Sequence, residues 1–120
     1  MGQCVAVVGT GYWGRNHVRT WAALKDENVI ERLIVCDLDE NRARELAEEF
    51  DCEWHTDAFT LKDTFGITAA SIATPTPLHA PLAIALLKQG VDVLVEKPLA
   101  MNEAEAQTTV ETAKSHGRLL

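Results

Sequence analysis

The 120-residue chain has few of the residues that mark nucleic-acid-binding and membrane proteins. Its 11 Lys and Arg against 18 Asp and Glu give a formal net charge of −7. This balance argues against nucleic acid or an anionic membrane surface as a partner, because both attract clustered basic side chains. No apolar run approaches the roughly 20 residues that a membrane span requires. The remaining composition, 47% hydrophobic and 24% charged, is typical of one globular domain with a sizeable core.

Cysteines are also scarce. They are odd in number and widely spaced, at Cys4, Cys36 and Cys52, so we expect core thiols in a reducing, cytoplasmic setting instead of a disulfide framework. The histidines have no metal-ligand spacing with one another or with these cysteines. The sequence therefore predicts no metal site.

Apolar runs alternate with helical patterns along the chain. Strands are predicted at residues 3–8, 32–36, 69–73 and 91–95, with a weaker strand pattern at residues 52–55, and a helix is predicted after each of them. Residues 118–120 read as the beginning of a further strand. The alternation predicts an α/β fold, a Rossmann doubly wound parallel sheet truncated at or just into the sixth strand, with residues 1–120 as one dinucleotide-binding domain.

Helix boundaries can be placed from local signals. Asp39 is a predicted N-cap, and Asn102 with Glu105 resembles a capping box. Gly66 is expected to close a short helix over residues 57–65. Pro81 fits only in a first turn, which places the start of its helix near residues 78–79.

The first strand opens directly into a Gly-x-Gly-x-x-Gly motif at residues 9–14. In this context Gly9 permits the tight turn, Gly11 allows close approach of a pyrophosphate, and Gly14 allows close packing of the following helix. The alternative, a purely structural turn, is disfavoured because an acidic residue stands at the tip of the next strand. The motif therefore predicts a dinucleotide site that includes Thr10, Tyr12 and Trp13.

That acidic residue is Asp37, which follows Gly14 at about the 20-residue spacing expected for this motif. Its carboxylate can accept hydrogen bonds from the adenosine ribose hydroxyls and would repel a 2′-phosphate, so NAD is favoured over NADP. Arg42 and Arg44 weaken that preference, although they are also readily explained as solvated charges on a helix.

Two further segments should emerge at the carboxyl edge of the sheet, where ligands bind in open α/β folds. Thr74 and Pro75 end the fourth strand, and Glu96, Lys97 and Pro98 end the fifth. A Glu-Lys pair is often only a surface ion pair. Beside a nicotinamide, however, the ammonium could stabilise an oxygen anion that develops during hydride transfer.

For three other side chains the sequence leaves two interpretations open, and for a fourth it argues against a catalytic role. His79 either lines the same edge or serves as a surface or capping residue. Tyr12 and Trp13 either flank the cofactor or substrate or pack on a neighbouring domain. Ser71 falls inside a buried strand pattern, which makes it a poor candidate for a catalytic serine.

These segments together resemble the N-terminal half of the glucose-fructose oxidoreductase, inositol dehydrogenase and rhizopine catabolism family (Gfo/Idh/MocA). The resemblance extends over essentially the whole chain, and the Glu-Lys-Pro segment after a Thr-Pro strand end is its most specific part. Residues 11–19 look most like members that oxidise nucleotide-linked amino sugars such as UDP-N-acetylglucosamine. One departure is the strand entry at Thr68, where family members often have Asp.

The resemblance implies a role for each matching residue. Lys97 would assist proton movement at the reacting hydroxyl, Glu96 would contact the nicotinamide ribose, and Pro98 would follow a cis peptide bond. Thr74, Pro75 and His79 would border the cofactor. Family members are more than twice this length, and their C-terminal domain carries substrate contacts that these 120 residues do not include.

We therefore expect the cofactor-binding part of an oxidoreductase that transfers hydride between a sugar, cyclitol or nucleotide-sugar hydroxyl and NAD. The isolated chain is expected to turn over little, and to self-associate as a homo-oligomer. The alternative is a non-catalytic nucleotide-binding or regulatory module that pairs with another chain.

Overall fold

A computed structural model describes residues 2–120. Five parallel strands alternate with five α-helices, as the sequence predicts. The strands are β1 (Cys4–Val8), β2 (Arg32–Cys36), β3 (Glu53–His55), β4 (Ala69–Ile72) and β5 (Asp92–Val95). The helices are α1 (Tyr12–Asp26), α2 (Glu40–Glu49), α3 (Leu61–Phe65), α4 (His79–Lys88) and α5 (Glu103–Ser115).

The sheet has the order β3-β2-β1-β4-β5. The central strand β1 pairs with β2 on one side and with β4 on the other, and the register joins Val8 to Cys36 and to Ile72. The strand order therefore reverses between β1 and β4. In a doubly wound sheet a crevice opens at this point, at the carboxyl ends of the strands.

Helices cover both faces of the sheet, and β1 and β2 near its centre are near-continuous apolar runs for this reason. The edge strand β3, by contrast, is largely exposed. One face packs Val5, Val7 and Val35 against residues of α1 and α2, including Val18 and Leu46. The opposite face packs the alternate strand residues against α3, α4 and α5. No helix within residues 2–120 has the length and apolar character to cross a membrane.

The predicted caps are present, with one difference in detail. Asp39 accepts a hydrogen bond from the Arg42 backbone N–H, and Asn102 accepts one from Glu105. The Glu105 carboxylate, however, accepts from Met101, one residue before the N-cap that a capping box would use. Gly66 adopts a φ of 67° and closes α3, and the segment predicted as one short helix is a 3₁₀ turn (Ala58–Thr60) followed by α3.

The three cysteines are unpaired thiols. Cys4 and Cys36 are buried among the apolar side chains, and Cys52 is partly buried. Burial raises the pKa of Cys36 to about 12 and that of Cys52 to about 11, so both stay as thiols at neutral pH. Their interpretation as core residues is confirmed.

Residues 118–120 lie beside β5. The Leu119 carbonyl accepts a hydrogen bond from the Val93 N–H at 3.0 Å, and the Leu119 N–H donates to Asp92 at 2.9 Å. The segment has no strand assignment of its own, but its first backbone bond is made on the outer edge of β5, where a sixth strand is expected.

Candidate functional site

The turn between β1 and α1 depends on two glycines. Gly9 has a φ of +95°, and a Cβ there would come within 2.8 Å of the Ala73 and Thr74 backbone. At Gly14 a Cβ would overlap the Gly9 carbonyl oxygen. Only glycine fits both positions, which lets the helix approach the end of β1 and brings the β1 and β4 strand ends into contact.

The N-terminus of α1 is open to a ligand. Gly11 is its N-cap, no side chain caps the helix, and no acidic residue lies in the first turn. The first-turn N–H groups of a helix lack partners within the helix and attract anions. A Cβ on Gly11 would meet only the Arg42 guanidinium, at 3.6 Å. The loop therefore has both the donors and the space that a dinucleotide pyrophosphate requires.

Asp37 lies at the tip of β2, beside this loop. Its Oδ2 accepts from the Thr10 N–H at 2.9 Å and from the Thr10 hydroxyl at 2.5 Å, and its Oδ1 accepts from the Asp39 N–H at 2.8 Å. Burial raises the pKa of Asp37, but the three hydrogen bonds and the charge of Arg42 outweigh it, so the pKa is lowered. The group is an anion at neutral pH, and Oδ1 keeps acceptor capacity for a ribose hydroxyl.

An apolar cleft of about 200 Å³ opens next to Asp37. Its walls come from the segments after β2, β3 and β4, and include Leu38, Phe59, Thr74 and Leu78. Leu38 and Phe59 are 84% and 52% exposed, so their apolar surfaces are available to a ligand in the cleft. Walls of this kind suit the faces of a planar aromatic ring, such as adenine.

His79 connects the ends of β4 and β5. The side chain is 1% exposed, with Nδ1 at 2.7 Å from the Pro98 carbonyl oxygen and Nε2 at 2.8 Å from the Thr74 carbonyl oxygen. A neutral imidazole has a single N–H, so it donates to both oxygens only when both nitrogens carry a proton. The buried His79 ring therefore contacts the backbone carbonyl groups of Thr74 and Pro98, which lie at the edge of the site.

The Glu96-Lys97-Pro98 segment follows β5 at the same edge. Glu96 Oε2 accepts from His17 Nε2 on α1 at 2.8 Å, and its Oε1 accepts from the Lys97 N–H at 3.3 Å. The hydrogen bond from His17, followed by the one from Lys97, lowers the pKa of Glu96. The Lys97 side chain is exposed, and the Lys97–Pro98 peptide bond is cis, as the resemblance predicts.

Tyr12 and Trp13 project from the first turn of α1. They are 79% and 60% exposed, and their rings stack edge to face with centroids 5.4 Å apart. Neither ring is buried against another part of residues 2–120, so both are free to meet a ligand or another protein surface. Ser71, by contrast, is fully buried and accepts a hydrogen bond from the Trp21 indole.

The sequence places His17 in the first helix, near the expected phosphate site, but it does not predict the contact with Glu96. The available signal was periodicity, because His17 lies three residues after Gly14 and four before Trp21, on the side of α1 that faces the sheet. Its contact with Glu96 depends on the rotation of α1 about its axis and on the strand order, which brings β5 to the same side of β1 as β4. Residues 2–120 contain no group of three His, Cys, Asp or Glu side chains placed to hold a metal ion.

Comparison with known proteins gives a consistent result. Residues 4–120 match the model of a family described as an oxidoreductase family with an NAD-binding Rossmann fold, GFO_IDH_MocA. An inositol 2-dehydrogenase of Rubrobacter xylanophilus is 40% identical over 117 residues, which is 97% of this chain and 33% of that protein. A 2,7-anhydro-N-acetylneuraminate hydratase of Mediterraneibacter gnavus is 36% identical over 93% of this chain and 29% of its own length.

A solved structure extends the likeness to the fold. The UDP-N-acetylglucosamine 3-dehydrogenase of Acidithiobacillus ferrooxidans superposes with a TM-score of 0.85 at 28% identity, over 100% of this chain and 37% of that one. The chain thus spans about a third of the length of the proteins it matches.

Proposed function

The chain belongs to the oxidoreductase family with an NAD-binding Rossmann fold, and from this premise we propose that residues 1–120 hold the dinucleotide of a hydride-transferring enzyme. The proposed substrate is a sugar, cyclitol or nucleotide-sugar hydroxyl. One contact between two parts of the site carries the proposal. The helix with the uncapped N-terminus, α1, contacts the Glu96-Lys97 segment through His17 at 2.8 Å, so anion-binding and proton-moving groups share one edge.

In this proposal each residue of the edge has a distinct task. First-turn N–H groups of α1 bind the pyrophosphate, Asp37 accepts from the adenosine ribose, and Glu96 from the nicotinamide ribose. Bound NAD would supply the hydride acceptor. In carbonyl reduction the Lys97 ammonium donates a hydrogen bond, and then its proton, to the reacting oxygen; in alcohol oxidation the neutral Lys97 amine accepts the hydroxyl proton at Nζ. The residues proposed to border the cofactor are Gly9, Thr10, Gly11, Tyr12, Trp13, Gly14, Thr74, Pro75, His79 and Pro98.

The 120-residue chain is expected to bind NAD measurably in calorimetry at up to millimolar concentration. The physical basis is the open α1 N-terminus and the free acceptor capacity of Asp37. Absence of heat with both NAD and NADP at that concentration would refute the cofactor role.

Catalysis is tested separately by hydride transfer over a panel of sugars, cyclitols and nucleotide sugars. Since one relative is named a hydratase of an anhydro sugar, the panel includes an anhydro sugar. Lys97→Ala should remove turnover while leaving NAD affinity within about a factor of two. Because the 120-residue chain alone is expected to turn over little, the assay is also run on a longer protein that contains it; binding of NAD with no turnover by either would favour the non-catalytic module.

Asp37→Ala is expected to raise the affinity for NADP relative to NAD by about tenfold. Removal of the carboxylate ends its repulsion of a 2′-phosphate and leaves the Arg42 guanidinium nearby. Calorimetry with both dinucleotides measures the ratio. The control is Asp26→Ala, which removes the same charge at the far end of α1; an unchanged ratio in Asp37→Ala would contradict the preference for NAD.

We also propose self-association and a cytoplasmic location. Exposed apolar side chains on β5 and its flanks, including Leu94 at 55% and Met101 at 56%, support a homo-oligomer, and light scattering tests it. The three unpaired thiols support a reducing compartment. The net charge of −7 supports neither nucleic acid nor membrane as a partner.

A further inference from the structure

We propose that His17 is a positioning residue for the Glu96-Lys97 segment and acts on it through the Glu96 carboxylate. This inference rests on the function proposed above for that segment. In this inference His17 does not contact the cofactor; it orients the Glu96-Lys97 segment, which does.

The Glu96 carboxylate uses both of its oxygens inside the protein. Oε2 accepts from His17 Nε2 at 2.8 Å, and Oε1 accepts from the Lys97 backbone N–H at 3.3 Å. The His17 and Glu96 side chains are only 17% and 29% exposed. A charge-assisted hydrogen bond that is partly shielded from water is stronger than an exposed one. His17 thereby fixes the carboxylate, and the carboxylate in turn fixes the backbone from which Lys97 projects.

His17 can serve as a reference point because α1 cannot easily shift. At one end Gly14 packs directly on the Gly9 carbonyl. Further along, the Trp21 indole N–H donates to the Ser71 hydroxyl on β4 at 2.8 Å, and Val18 is fully buried between them. A side chain held on a rigid helix positions its partner better than one on a loop.

The segment that His17 holds has little structure of its own. Residues 96–102 form neither helix nor strand. Elsewhere it is held at separate points: the Glu96 N–H donates to the Ile72 carbonyl oxygen at 2.9 Å, His79 contacts the Pro98 carbonyl oxygen, and the Met101 N–H donates to Glu105. Without His17 the Glu96 side chain regains its rotamer freedom, which must then be lost again when a ribose binds.

The test compares NAD with ADP, which lacks the nicotinamide ribose, by calorimetry on the 120-residue chain. His17→Leu should weaken NAD binding about fivefold to tenfold and leave ADP binding within a factor of two, because only NAD reaches Glu96. His17→Gln should restore most of the NAD affinity, since its amide nitrogen can donate from near the position of Nε2. His116→Leu, at an exposed histidine after α5, is the matched control and should change neither affinity.

A second readout does not need a ligand. In an NMR titration of the Glu96 carboxyl carbon, His17→Leu should raise the pKa of Glu96 toward its ordinary value, and His116→Leu should not. If His17→Leu weakened NAD binding and ADP binding equally, His17 would merely support the glycine loop and the inference would be wrong. It would also be wrong if His17→Leu left NAD binding unchanged. An unsubstituted chain that binds no NAD would overturn the proposed function, and this inference with it.

Discussion

Gly14→Ala is expected to lower the free energy of unfolding by about 3 kcal/mol and to abolish measurable NAD binding. The new methyl group would overlap the Gly9 carbonyl oxygen, a backbone atom that cannot rotate away. Relief requires α1 to move off the end of β1, which would displace the N–H groups proposed to bind the pyrophosphate. Urea denaturation measures the first effect and calorimetry the second.

Gly11→Ala separates these two effects within the same motif. The φ of Gly11 is −71°, which alanine adopts freely, and its Cβ would meet only the tip of Arg42. We expect a stability loss of about 1 kcal/mol or less, but a loss of NAD affinity of about tenfold or more, because the methyl group occupies the proposed pyrophosphate approach. Equal stability losses in the two variants would contradict this division of roles.

His79→Leu is expected to lower the free energy of unfolding by about 2–4 kcal/mol. Leucine fills a similar volume but cannot donate, so the Thr74 and Pro98 carbonyl oxygens lose the partner that now lies within 2.8 Å of each. Leaving a buried polar group unpaired costs about 1–3 kcal/mol. Urea denaturation at a fixed pH gives the difference.

The control for this substitution is again His116→Leu. His116 is exposed, although its Nδ1 contacts the Thr112 carbonyl oxygen at 3.0 Å, so its replacement should stay within about 0.5 kcal/mol. A His79→Leu variant as stable as the control would show that water or a shifted backbone satisfies both carbonyls. In that case the backbone pairing of β4 with β5, and not the His79 contacts, holds these strand ends together.

The parts of the site that lie close together in sequence could be predicted. The glycine loop joins adjacent elements, and the predicted tight turn at Gly9 and close helix packing at Gly14 are confirmed by the positive φ and the short contact there. The approach of a pyrophosphate at Gly11 stays a prediction. Asp37 was predictable because a strand tip is easily recognised, and in a parallel sheet all such tips lie at one edge. The observed order β3-β2-β1-β4-β5 is the one typical of the predicted doubly wound fold class.

Partners far apart in sequence could not be predicted. His17 and Glu96 are separated by 79 positions, and their contact depends on the rotation of α1 about its axis as well as on strand order. For His79, the sequence indicated the correct edge, but whether the ring nitrogens face a ligand or the Thr74 and Pro98 carbonyl oxygens depends on loop conformation. Glu105 illustrates the same limit locally, since its carboxylate bonds to Met101 and not to the cap residue.

The central position of β1 has a consequence for how the chain folds. Val5–Val8 pair with β4, whose last residue is Ile72, so one edge of the first strand stays unpaired until the more than 60 residues that separate the two strands and form β4 have been synthesised. At about 5–20 residues per second, the nascent chain exposes that apolar edge for seconds. Parallel pairings across such long separations also fold slowly. The same arrangement that forms the cofactor crevice therefore makes early, incomplete chains prone to aggregation, and assembly of the crevice must await the arrival of β4.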